Sequence, residues 1–173
     1  MRPLERPVPA ASAGLWAAVA VFALAVVGVA LVSQHRFGME PCAWCVLSRL
    51  LFVAIAAAAL VGLVWRRRAG TVLAGTVVAL LALAGIAASL WQHVVASKSA
   101  SCNLTLADKI VSATTLAERL PDVFEARASC ADAAVSLLGV SYDVWALAAF
   151  GLLLLGALRA LGALGGAGAP RRR

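Results

Sequence analysis

With 173 residues, 63% hydrophobic and only 13% charged, the chain cannot furnish the polar exterior that a soluble domain of this size requires, so it reads as an integral membrane protein. The net charge of +7 does not mark a nucleic-acid binder, because the basic residues sit beside apolar segments and form no patch interleaved with aromatics. Four cysteines in so short a chain demand more than a packing role.

Residues 1–13, with Arg2, Arg6 and three prolines, read as a polar tail. Residues 14–33 form the first span, since about twenty uncharged residues rising 1.5 Å each cross roughly 30 Å of hydrocarbon. A cleaved signal peptide would have a shorter apolar run ending in small residues. This run passes into Ser33-Gln34-His35-Arg36, which favours a retained span. Residues 34–45 are a short loop, 46–65 the second span closed by Arg66-Arg67-Arg68, and 66–70 a tight connection. The third span covers 71–93, a long loop covers 94–141, the fourth span covers 142–161, and 162–173 form a basic tail. The expected fold is a single all-α membrane domain, a four-helix up-down bundle with frequent Gly and Ala at its contacts. Trp16, Trp65, Trp91 and Trp145 are expected in interfacial belts.

In the long loop, Leu104, Leu106, Ile110 and Val111 recur at roughly helical spacing, which suggests a short amphipathic helix at the headgroup level. Thr115-Leu116-Ala117-Glu118 has the form of a capping box, and Pro121 is expected to stop the helix it starts. Arg2, Arg6, Arg66 to Arg68, Arg159 and Arg171 to Arg173 face one side against the single acid Glu5. Short arginine-rich segments stay inside, so both termini are expected in the cytoplasm and all four cysteines on the outer, oxidising face.

Pro41-Cys42-Ala43-Trp44-Cys45-Val46-Leu47-Ser48-Arg49 carries the chemistry. A C-x-x-C pair places two thiols within disulfide reach. Pro41 suits the first turn of a helix, which puts Cys42 and Cys45 near unsatisfied N–H groups and the positive end of its dipole. Arg49 lies one turn beyond Cys45 on the same face, where its charge favours an adjacent anion. Against this stands a snorkelling side chain without a partner. Cys102 and Cys130 alone would read as a staple closing the loop; beside a C-x-x-C on the same face, they read as a second couple able to exchange with the first. Four thiols could also hold zinc, but such sites usually show two tight pairs. His35 and His93 end the first and third spans at the depth of Cys45 and Arg49, where a membrane-soluble acceptor would dock, although lone interfacial histidines are commonly plain end-caps. No haem, dinucleotide or iron–sulfur motif is present to re-oxidise the thiols. A quinone entering from the bilayer needs none.

Gln34-His35, then Pro41-Cys42-x-x-Cys45-x-x-x-Arg49, then Gln92-His93, Cys102, and Pro121 to Ala126 leading into Cys130 resemble the disulfide bond formation protein B (DsbB) family of bacteria, in order, from about residue 15 to 160. The resemblance implies an inner-membrane dithiol:quinone oxidoreductase. In it a reduced DsbA-like thioredoxin-fold partner in the periplasm attacks the Cys102–Cys130 disulfide at Cys102. Cys130 then attacks Cys42 of a Cys42–Cys45 disulfide, and Cys45 is released beside a ubiquinone or menaquinone ring with Arg49 and His93 stabilising the charge. Ala43-Trp44, Ser48 and Tyr142-Asp143 depart from the family's more frequent residues. Vitamin K epoxide reductase-like proteins carry their C-x-x-C late in the chain, unlike this one. A non-catalytic module braced by two disulfides is the rival of another kind.

Overall fold

The computed structural model describes residues 10–98 and 106–166. In chain order it contains α1 (Ala10–Phe37), α2 (Ala43–Val64), α3 (Arg68–Val94) and a 3-10 turn (Ala96–Lys98). The short helices α4 (Leu106–Ala113), α5 (Leu116–Arg119) and α6 (Pro121–Phe124) follow, then a hairpin of β1 (Ser136–Leu137) and β2 (Val140–Ser141), and finally α7 (Tyr142–Gly166). Four of these helices, α1, α2, α3 and α7, are long and apolar enough to cross a membrane. The chain is a four-helix membrane protein.

The helices outrun the expected spans because backbone bonding continues beyond the hydrocarbon-length core. α1 runs on through Phe37 until Gly38 adopts φ +64°, a left-handed conformation that glycine reaches without a Cβ clash, and returns its N–H to the Gln34 carbonyl at 3.1 Å. α2 starts three residues earlier than expected, with Cys42 as its extended N-cap. Pro41 therefore precedes the helix instead of occupying its first turn, and its carbonyl accepts from the backbone N–H groups of Arg127 and Ala128 at 2.9 and 3.2 Å.

Two apolar clusters hold the fold. The first, in the middle of the bundle, joins Trp16, Phe52, Ile55, Val78, Phe150 and Leu153. Phe52 and Phe150 stack with ring centroids 4.0 Å apart. Close approach at this level depends on small residues: a Cβ on Gly85 would collide with the Phe150 ring, and one on Gly62 would stand 2.9 Å from Trp16. Trp16 is thus fully buried among the helices, contrary to the belt position expected for it. The seam between α1 and α7 is packed far more thinly than those between α1 and α2 or α3 and α7.

The second cluster closes one end of the bundle, where the long connection folds over α2. Ala107 and Val111 of α4, Phe124 of α6 and Cys130 pack with Cys42, Trp44, Val46 and Leu47. Trp44 faces Trp91 of α3 at 6.5 Å between ring centroids. α4 is therefore the predicted amphipathic helix, with its small apolar face spent on the cysteine end of α2 while Leu106 and Ile110 point outward. Leu104 lies outside the described residues. The expected capping box does not form: Thr115 is left-handed at φ +53° with no side-chain cap, because α4 ends in a turn immediately before it. Pro121 begins α6 at its first turn, where a missing N–H costs nothing, as well as following the end of α5.

Candidate active site

Cys42 caps α2 and Cys45 lies in its first turn, so the C-x-x-C spacing stacks the two sulfurs. Their Sγ atoms are 3.0 Å apart as free thiols. Cys42 is fully buried, and its thiol is pushed up from the ordinary range by the hydrogen bond with Cys45 first and by burial second. Cys45 is partly open to an adjoining cavity. Gln92, from the last turns of α3, donates through Nε2 to Cys45 Sγ at 3.3 Å and more distantly to Cys42 Sγ at 3.8 Å. An amide donor aimed at sulfur favours its anionic form.

One turn deeper on α2, Arg49 is only 6% exposed. Its Nη1 donates to Gln34 Oε1 at 2.7 Å and to the Val123 carbonyl at 2.9 Å, and its Nη2 to the Ala30 carbonyl at 3.5 Å. Gln34 in turn donates to the Asp122 carbonyl at 3.4 Å. These acceptors come from α1 and α6, so the guanidinium is fixed in place and does not snorkel. Among the described residues no carboxylate lies within ion-pair distance of it. Its charge is left to act on whatever occupies the space beside it.

That space is a cavity of about 460 Å³ along the thin α1–α7 seam. Phe22, Val26, Val29 and Ala30 of α1 form one wall, and Trp145, Ala149 and Leu152 of α7 form the other. Cys45, Ser48, Arg49 and Phe52 form the floor. Val29, Trp145 and Leu152 are well exposed, so the cavity opens sideways from the bundle. The hairpin borders the cavity through Leu137, with Val135 just before it, and Leu138 and Gly139 make the turn at φ +55° and +80°, the double positive φ of a two-residue hairpin. A largely apolar pocket with one thiol, Cys45, one cation without a carboxylate partner, Arg49, and one amide, Gln92, suits an apolar ligand that carries a polar end.

The remaining residues expected at a site fall as follows. Cys130 is disulfide-bonded and buried in the same cluster as Cys42, which brings a member of the second couple to the C-x-x-C end of the bundle. Cys102 lies outside the described residues. His93 does not line the cavity; its Nδ1 is 2.6 Å from Asp143 Oδ2, and Asp143 does line it. His35 is exposed on the last turn of α1 and is not among the lining residues. Gln92 and Asp143 were missed as site residues. The Gln92-His93 dipeptide drew attention to the histidine, whereas the helix register turns the glutamine toward sulfur. For Asp143, an acid within the first turn of a span was the signal available.

The family model described as disulfide bond formation protein DsbB matches residues 12–160. Disulfide bond formation protein B 1 of Pseudomonas savastanoi pv. phaseolicola is 37% identical over 132 residues, covering 75% of this chain and 78% of that protein. Disulfide bond formation protein B of Aromatoleum aromaticum is 36% identical over 135 residues, covering 76% and 81%. Its counterpart in Ralstonia nicotianae is 35% identical over 130 residues, covering 75% and 80%.

Proposed function

The chain belongs to the disulfide bond formation protein DsbB family, and from that premise we propose that it passes oxidising equivalents from a membrane quinone through two cysteine couples to a DsbA-like thioredoxin-fold partner in the periplasm. The observation that carries this reading is the shared cavity of Cys45 and Arg49: a sulfur and an unpaired guanidinium face one apolar space that opens sideways between α1 and α7. A quinone fits that space by chemistry, since its ring is apolar except at two carbonyl oxygens and its isoprenoid tail belongs in lipid. When bound, it supplies a two-electron sink.

Each residue then has a definite task. The partner's thiolate attacks Cys102, and the thiolate set free at Cys130 attacks Cys42 Sγ; that both Cys130 and Cys42 belong to the second apolar cluster supports this step. Cys45 is the leaving sulfur, turned to the cavity, and receives the Gln92 N–H. Arg49 stabilises negative charge in the cavity without being consumed by a partner carboxylate, which is the preorganised arrangement that lowers a charge-separating barrier. Once the Cys42–Cys130 bridge has been resolved, the Cys42 and Cys45 sulfurs, 3.0 Å apart, would re-form their bond by giving up two electrons to the quinone and releasing their thiol protons. With the basic termini in the cytoplasm, the cysteine end of the bundle faces the periplasm of the inner membrane. His35 then stands at the outer headgroup level and does not line the pocket.

The test is turnover by the purified full chain in lipid, supplied with ubiquinone or menaquinone and a reduced thioredoxin-fold dithiol protein. Quinol formation dependent on both, and absent in Cys45→Ser, is the expected result. Oxidation of the partner without quinol would remove the quinone from the account.

A further inference from the structure

The reduced thiol pair and the cavity pose a proton problem. When Cys45 reacts as thiolate and Cys42 still holds its hydrogen, forming the S–S bond releases two electrons and one proton. A quinone accepting those electrons to become quinol takes up two protons. One proton must therefore enter from outside the sulfur pair, into a cavity whose walls are almost wholly apolar.

Two side chains in contact connect the exposed surface of the bundle to that cavity. Asp143, in the first turn of α7, lines the pocket and is 9% exposed. His93, on the last turn of α3, is 54% exposed, and its Nδ1 meets Asp143 Oδ2 at 2.6 Å. We propose that Asp143 delivers the second proton to the acceptor in the cavity and that His93, exposed at the cysteine end of the bundle, reloads it. Asp143 is thus a proton donor to the bound acceptor, and His93 is a positioning and relay residue that acts through it.

The surroundings suit the assignment. Arg49 stands on the floor of the cavity with its donors committed to Gln34, Val123 and Ala30, so Asp143 is not locked into an ion pair with it. The other ionisable groups facing the space are Cys45, Tyr142 and the exposed Glu40. Glu40 lies on the short connection between α1 and α2 and has no histidine contact. A purely structural tie between α3 and α7 would use the same 2.6 Å bond but would have no reason to border the cavity.

The proposal rests on the quinone reading, and the experiment separates the two. Rates of quinol formation by the reduced full chain in lipid are measured against pH for the parent, Asp143→Asn, His93→Gln and the double variant. The tautomer of His93 is followed in parallel by ¹⁵N spectra of the histidine-labelled chain. Asp143→Asn is expected to slow quinol formation about 100-fold near neutral pH, the usual scale for a positioned acid. Its rate should then follow bulk proton concentration, and added formate should restore part of it. His93→Gln, at an exposed position, should show the same altered pH profile, and the double variant should be no slower than Asp143→Asn. The ¹⁵N spectra should show His93 protonated at Nδ1 in the parent and a redistributed tautomer in Asp143→Asn. If quinol forms in Asp143→Asn and His93→Gln with the parent's pH profile, the proton route is overturned while the quinone reading stands. If the parent forms no quinol, the quinone reading falls and takes this proposal with it.

Discussion

Replacing Arg49 with alanine removes the only cation lining the described cavity along with three donated hydrogen bonds. Two consequences are separable. Gln34 Oε1 and the Val123 carbonyl lose close donors at 2.7 and 2.9 Å, and an orphaned buried acceptor costs about 1–3 kcal/mol each. Relief of the guanidinium's own burial offsets part of that. The bundle should therefore unfold at lower temperature but still fold, because the mid-bundle cluster around Phe52 and Phe150 does not include Arg49. The catalytic loss is set by one charge-assisted interaction with the acceptor, about 1.5–3 kcal/mol, equivalent to roughly 10- to 150-fold in kcat/KM for quinone. Arg49→Lys keeps a charge but cannot fork across three acceptors, so it should fall between parent and alanine. The assay is quinone absorbance over a range of quinone concentrations, with a saturating reduced partner. A quinone dependence in Arg49→Ala equal to the parent's, in protein that is demonstrably helical, would refute the role assigned to this residue.

Cys45→Ser should abolish quinol formation, because Cys42 then has no partner sulfur in the pair, and peptide mapping of the unreduced chain should find Cys42 as a free thiol; a variant that still forms quinol would exclude Cys45 as the donor sulfur. Gln92→Leu removes the amide donor to Cys45 Sγ and should slow alkylation of that thiol and quinol formation about tenfold, the scale of one hydrogen bond to a charged group. Gly85→Ala drives a methyl into the Phe150 ring stacked on Phe52 and should cost about 1–3 kcal/mol in thermal unfolding, with Phe150→Leu in the same chain recovering part of it. Unchanged melting in Gly85→Ala would show that the α3–α7 contact is looser than the structure has it.

The fold was legible because each span is an uncharged run of membrane length, and the thiol motif because its residues are close in sequence. What was hidden depends on helix register and on contacts between distant segments. Nothing local marks Gln92 as the residue that reaches sulfur, since a one-residue step around α3 turns it to Cys45 and His93 to Asp143. Arg49 could not be told from a snorkelling side chain until the carbonyls of Ala30 and Val123 appeared beside it. Trp16 reads as an interfacial tryptophan from its place near the start of a span. Only the gap left by Gly62 and Ala74 explains its burial. The hairpin escaped because its turn puts Leu138, a residue that rarely accepts positive φ, beside Gly139.

The most direct measurement is an anaerobic, partner-free count on the pre-reduced full chain in lipid with added quinone: quinol formed, thiols lost, and the cysteines bridged afterwards. The account predicts one quinol for every two thiols lost in the first turnover, with the new disulfide joining Cys42 and Cys45. Quinol formed without bridging that pair, or the pair oxidised without quinol, would contradict it.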